Sequence, residues 1–376
     1  MAEVQSGPAG RIERVRALMA ERGYDAVLVR DEANLRWLTG VPGTFDFSHE
    51  YPHAGFITAS ACFFHTDSRY FNAFATNLPA DNPWQLDQEV TAIPDWVAER
   101  ALACRVRAIG IEDDTQIQFY RGLERGLEDR SIWAALPLMH ADLRDLRAVK
   151  DEEELALMRR AQTITDAAFQ HMLTFIQPGQ TEKEIKNELE SWMFAHGAES
   201  LAFSTIVASG PNTANPHAVP SDRVVERGDF VLMDYGAGYH DYRSDMTRTV
   251  VLGEPSPEQL DLYELVRATH EACAAAVHAG VDGKDIHELS VRLISEAGFG
   301  DYYKHGLGHG VGIDIHENPN FGRRSNIVPA GSVITVEPGV YLPGVGGVRL
   351  EDCGLVTADG YEPFTQSPHE LQVIDC

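Results

Sequence analysis

The sequence has 376 residues, 44% hydrophobic and 23% charged, with 31 Lys and Arg against 57 Asp and Glu for a net charge of −26. That length fits two domains, and the composition excludes a disordered or fibrous chain. A surface this acidic repels phosphate backbones and anionic lipid, which makes nucleic acid and membranes poor partners, and it fits a salt-rich cytoplasm.

Residues 1–10 hold no basic stretch followed by an apolar one, and no run of ~18 apolar residues occurs anywhere, so neither a secretory signal nor a transmembrane helix is expected. The first half alternates helices and strands. Residues 11–22 predict a helix ended by Gly23, 26–29 a strand, 33–38 a helix ended near Gly40, 61–65 and 108–111 strands, and 95–104 a helix. This is an α/β unit without a nucleotide fingerprint. The charged stretch 143–154, from Arg144 through Arg147, Lys150, Asp151 and Glu154, predicts a solvated boundary between domains 1–147 and 148–376. Its acids open a long helix, where they meet the positive dipole end.

That helix runs over 151–176, with Leu155, Met158, Ile164, Ala168, Met172 and Phe175 as a core stripe, and Pro178 and Gly179 end it. Thr181 with Glu184 reads as a capping box, as does Ser256 with Gln259 followed by Pro257. A further helix is predicted near 285–297. Stretches 230–235, 245–252, 333–337 and 348–356 read as strands, so the second half predicts helices on an antiparallel sheet, α+β overall. The five cysteines (Cys62, Cys104, Cys273, Cys353 and Cys376) are odd in number, widely spaced and without a CxxC pair. They predict a reducing cytoplasm and buried filler roles rather than disulfides.

Two hairpins carry the chemistry. In 230–252, Asp234 and Asp245 face each other if the turn centres on Tyr239 and His240. In 333–356, Glu337 and Glu351 face each other about Gly344. Directly opposed residues of an antiparallel pair share one face with Cβ atoms ~5 Å apart, and like charges there destabilise the sheet. At 4 Å and an effective dielectric of ~20, each such pair costs about 4 kcal/mol. The basic residues in these strands are Arg243, Arg248 and Arg349, whereas two divalent cations would balance four carboxylates. Residues 305–317 (HGLGHGVGIDIHE) alternate glycine through Gly306, Gly308, Gly310 and Gly312, which argues for extended backbone with a close neighbour and places His305 and His309 on one face. His217 sits between Pro216 and Pro220 in a rigid loop.

Asp234 in DYGA, Asp245 in SDMTRT, His309 in GHG, Glu337 in VEPG and Glu351 in RLED resemble the five metal ligands of the pita-bread metallopeptidases, in residue type, order and spacing. The first half resembles the creatinase/prolidase N-terminal domain. That pairing, with His217, His305, His316 and Arg349 in place, resembles the prolidase (Xaa-Pro dipeptidase) and aminopeptidase P branch; creatinase and the histone-chaperone relatives lack the ligand set. The resemblance implies a pita-bread catalytic domain behind a smaller α/β domain, and two divalent ions ~3.5–4 Å apart. Asp234 would chelate one ion, His309 and Glu337 the other, and Asp245 and Glu351 would bridge them. The hard ligand set favours Mn²⁺ over Co²⁺ or Zn²⁺. Glu337 would shuttle the proton, His217 and His316 would stabilise the carbonyl oxygen, and Arg349 and His305 would bind the substrate carboxylate or groups behind the metal. The expected substrates are proline-containing dipeptides, with longer Xaa-Pro peptides, as in aminopeptidase P, as the alternative. A small-molecule hydrolase or lyase on the same scaffold and a non-catalytic binding module are the other readings. The resemblance also implies a homodimer.

Overall fold

A computed structural model describes residues 6–41, 52–79, 82–87 and 91–375. The chain divides into two compact units, Met1–Arg147 and Ala148–Cys376.

In the first unit, Gly23 and Gly40 adopt the left-handed conformation and end the helices Gly7–Arg22 and Glu32–Thr39. These are positions where a side chain would be strained. The strands form one mixed five-stranded sheet in the order Trp84–Asp87, Cys62–His65, Ala54–Thr58, Ala26–Val29 and Ile109–Ile111. The first and last pairs are parallel and the two central ones antiparallel. Strands Ala54–Thr58 and Trp84–Asp87 were not predicted from the sequence.

In the second unit, the long helix Glu152–Phe175 starts at a capping box of Asp151 and Glu154. Both other predicted boxes form, opening helices Glu182–Ala195 and Pro257–Ala276. Each box satisfies two backbone donors that the helix itself cannot pair. The predicted stripe of the long helix is buried from Leu155 to Met172, with Phe175 packed at its edge. It covers the sheet formed by Gln372–Ile374, Met246–Leu252, Phe230–Tyr235 and Ile206–Ser209. That sheet is antiparallel except for the pair joining Met246–Leu252 to Gln372–Ile374. A second sheet, antiparallel throughout, holds Glu317–Phe321, Gly308–Gly310, Val333–Val336, Asp352–Val356 and Tyr361–Pro363. No helix among the described residues is long and apolar enough to cross a membrane.

Four expectations need correction. The charged stretch 143–154 is no solvated face: Arg147, Lys150, Asp151 and Glu154 are buried. Lys150 Nζ stands 3.0 Å from Glu317 Oε2, and Glu154 accepts from the Tyr242 hydroxyl at 2.9 Å. Partners distant in sequence make that burial tolerable, which a local reading of charge does not see. The strand expected over 348–356 is two strands, Gly346–Arg349 and Asp352–Val356, broken at Leu350 and Glu351. Cys104 is exposed, unlike Cys62, Cys273 and Cys353, and Cys376 lies outside the described residues. The fourth correction concerns the register of the first hairpin.

Candidate metal centre

Asp234 does not face Asp245. The hairpin turns at His240 and Asp241, both in the left-handed region with φ of 46° and 68°. Tyr239 then pairs with Tyr242, and Asp234 with Thr247. The turn sits one residue later than expected, so Asp245 lies diagonal to Asp234. A two-residue shift of partner keeps the face, because strand side chains alternate with period two. The second hairpin has the expected register. Val336 pairs with Asp352 on one side and Gly339 with Arg349 on the other, which sets Glu337 across from Glu351 about Gly344.

The glycine segment brings His309 to these acids. At Gly308 a Cβ would stand 2.0 Å from the Thr335 carbonyl oxygen, and at Gly312 one would stand 2.5 Å from the Glu317 carboxylate. Only glycine lets the segment lie this close to the neighbouring strand. The predicted extended run is short: Gly308–Gly310 alone is a strand, with a bulge after His309.

His309 Nδ1 donates to the Gly310 carbonyl at 3.1 Å, which leaves Nε2 as a bare lone pair. Nε2 stands 3.6 Å from Asp245 Oδ2 and 3.5 Å from Glu337 Oε1. Burial, then the charge of His316, brings the His309 pKa down to about 4, so the ring is neutral at neutral pH. Burial and neighbouring carboxylates push Asp245 and Glu351 well above the ordinary carboxylate range. Glu337 is pushed up to about 8 by burial and the charge of Asp234, against the pull of Arg349.

One cation already stands among the acids. Arg349, 2% exposed, places Nη2 2.5 Å from Asp234 Oδ2. Its Nη1 donates to the Tyr341 hydroxyl at 2.9 Å and to the Pro216 carbonyl at 3.3 Å. The His305 Nδ1 donates to the Gly306 carbonyl, so its Nε2, 3.0 Å from the Tyr341 oxygen, accepts from that hydroxyl. The second oxygen of Asp234, Oδ1, is buried and has no hydrogen-bond partner among the described residues.

Ligand atoms of Asp245, His309 and Glu351 all lie within 4.8 Å of one another, and the bare oxygen of Asp234 and Glu337 border the same space. The donor set is four carboxylates and one neutral imidazole. One guanidinium cannot compensate four carboxylates, and the cost of keeping them ionised is what raises the proton affinity of Asp245, Glu337 and Glu351. The residues present fit divalent cations.

All nine residues singled out from the sequence line one cavity of about 650 Å³ in the second unit, with Phe203, Ile206, Val219, Ile315 and Tyr341 among its other walls. His217 and His316 are exposed in it. Sequence reading missed Thr247, Thr335 and Tyr341. Thr247 Oγ1 donates to Glu351 Oε2 at 2.6 Å and accepts from Arg349 Nε at 3.0 Å. Thr335 Oγ1 donates to Glu337 Oε1 at 3.3 Å. The signal for both threonines was alternation: each stands two residues from an acid on one strand face. Tyr341 had no such signal, because it reaches Arg349 from across its hairpin.

Residues 156–358 match metallopeptidase family M24, and residues 11–149 match the creatinase/prolidase N-terminal domain. A Xaa-Pro dipeptidase of Pyrococcus horikoshii is 32% identical over 96% of this chain and 98% of its own length. Among solved structures, a Xaa-Pro dipeptidase from Bacillus anthracis superposes with a TM-score of 0.90 at 36% identity, over 98% of this chain and 100% of that one. An X-Pro aminopeptidase from Thermotoga maritima superposes with a TM-score of 0.86 at 32% identity, over 96% and 99%.

Proposed function

This chain belongs to metallopeptidase family M24, with the two-domain α+β architecture of the prolidase branch, and from that premise we propose that it is a dimetal Xaa-Pro dipeptidase. The observation that carries the metal assignment is the His309 Nε2 lone pair converging on one space with carboxyl oxygens of Asp245, Glu337 and Glu351. Asp234, Asp245, His309, Glu337 and Glu351 would hold two ions, and the preponderance of oxygen donors favours Mn²⁺. When bound, such ions supply Lewis acidity and an activated water.

The chain's own groups do the rest. Glu337, beside the water that the ions would activate, would take its proton and return it to the leaving proline nitrogen. His217 and His316, both at the open side of the cavity, donate to the scissile carbonyl oxygen as charge develops there. Of the two roles left open for Arg349, its bonds to Asp234, Tyr341 and Pro216 favour holding the groups behind the metal; His305 is fixed in the same chain of bonds. Phe203, Ile206, Val219 and Ile315 give the cavity an apolar wall suited to a proline ring. An Xaa-Pro bond has no N–H, so a site that grips the carbonyl and the ring selects it. The same reading assigns residues 148–376 as the catalytic unit, with a cytoplasmic homodimer as the working form.

The test is turnover of an Xaa-Pro dipeptide panel beside longer Xaa-Pro peptides, with Mn²⁺ present. The reading expects dipeptides to be cleaved and longer peptides to be poor substrates. Cleavage confined to longer peptides would assign an aminopeptidase instead, and inertness toward both would reject peptidase activity.

A further inference from the structure

The loop 209–221 carries His217 over the cavity, yet among the described residues the His217 ring makes no hydrogen bond of its own. Its place is inherited from the backbone. On the cavity side two bonds hold the loop: the Gly347 N–H donates to the Thr213 side chain at Oγ1, 2.7 Å away, and Arg349 Nη1 donates to the Pro216 carbonyl. At the base, both ends converge on a single carboxylate. Glu182, wholly buried at the first turn of helix Glu182–Ala195, accepts on Oε1 from the Ser209 N–H at 2.7 Å, the Ser209 hydroxyl at 2.8 Å and Asn212 Nδ2 at 3.0 Å. On Oε2 it accepts from the Ser221 N–H at 2.9 Å and the Ser221 hydroxyl at 2.6 Å.

We propose that Glu182 is a positioning residue for His217: its carboxylate ties the two ends of the loop and so fixes where the imidazole stands over the cavity. An ionised carboxylate is acceptor-only, and here all five contacts are donors, so no other side chain of this reach matches the site. Burial alone would raise its pKa; the bonds from Ser221, Asn212 and Ser209 outweigh that and hold it below the ordinary value. Pro216 and Pro220 stiffen the span between the ties, which carries the constraint to His217.

This inference rests on the proposed role of His217, but one readout needs no substrate. In E182Q the amide turns an NH₂ group toward either the Ser209 set or the Ser221 pair, and one end of the loop loses its tie to this side chain. Hydrogen exchange is expected to quicken at least about 10-fold at amides within 209–221 and to stay unchanged in 230–252 and 333–356. Metal content is expected to stay at the wild-type value. On an Xaa-Pro dipeptide, kcat is expected to fall by up to about 100-fold with KM little changed, as for a displaced donor. E182D restores part of it, and E182Q/H217A is no slower than H217A, because both act on one group. Unchanged exchange in the loop, or losses that multiply in the double variant, would overturn the proposal. Should E182Q fail to fold, S221A removes the 2.6 Å bond to Glu182, with the weaker ones Ser221 Oγ accepts from the Arg223 N–H at 3.1 Å and Asn212 Nδ2 at 3.5 Å, and must give the same pattern at smaller size. Wild-type protein inert on every Xaa-Pro dipeptide would refute the proposed function, while the exchange result would still decide the clamp.

Discussion

Replacing Lys150 by Met probes the feature that local reading of the charged stretch misses. Lys150 Nζ and Glu317 Oε2 are 3.0 Å apart with both side chains 1% exposed. Glu317 also accepts the Asp314 N–H at 3.1 Å on Oε1, and Gly312 has no Cβ where one would crowd this carboxylate. The substitution leaves a buried carboxylate without its cation. Breaking one partner of a buried pair costs about 3–5 kcal/mol, far more than the net worth of the pair. For a unit of this size, at about 2–4 °C per kcal/mol, the melting temperature should fall by roughly 6–20 °C. Unfolding followed by circular dichroism at pH 7 reads the shift directly. The loss should persist in high salt, because a buried pair is little screened. K150M/E317Q removes the stranded charge and should recover most of the loss. A K150M variant within about 1 kcal/mol of wild type, or a double variant as unstable as the two losses summed, would refute the burial argument. Because Glu317 directly follows His316, K150M should also slow turnover at temperatures where the protein is still folded.

G308A should fold but lose metal affinity and activity, since its Cβ cannot coexist with the Thr335 carbonyl and strand Gly308–Gly310 must shift with His309 upon it; titration with Mn²⁺ beside a melting curve separates the two effects. His270 is buried with neither ring nitrogen hydrogen-bonded among the described residues, and burial lowers its pKa to about 4, against the attraction of Asp352. The unfolded ring protonates near 6.5, so its stabilising contribution is whole above pH 6.5 and is lost as pH falls through 4, with a slope of up to about 1.4 kcal/mol per pH unit between. Urea unfolding of H270L against wild type should show that slope missing from the variant; identical pH profiles would refute it.

Much of the fold was legible because its signals are local. The capping boxes at Thr181 and Ser256 and the left-handed glycines at 23 and 40 act within a few residues, and all four stand where the pattern put them. The register of the second hairpin was legible because Gly344 marks its turn. The first was not: His240 and Asp241 take left-handed conformations without the Asn-Gly or Gly-rich signal that usually announces them. The site's acids and histidines were legible as a set, since four acids in apolar strands demand compensation. What supports them was not. Tyr341, Lys150 and Glu182 act on partners 8 to 167 positions away, and sequence spacing carries no trace of such contacts.

The account turns on cations resolving the repulsion among Asp234, Asp245, Glu337 and Glu351. Calorimetric titration of Mn²⁺ into chelator-treated protein tests this most directly. The account predicts two equivalents bound per chain, dipeptide cleavage appearing in step with them, and loss of both in D245N. Full activity in the chelated protein, or in D245N with its metal retained, would contradict it.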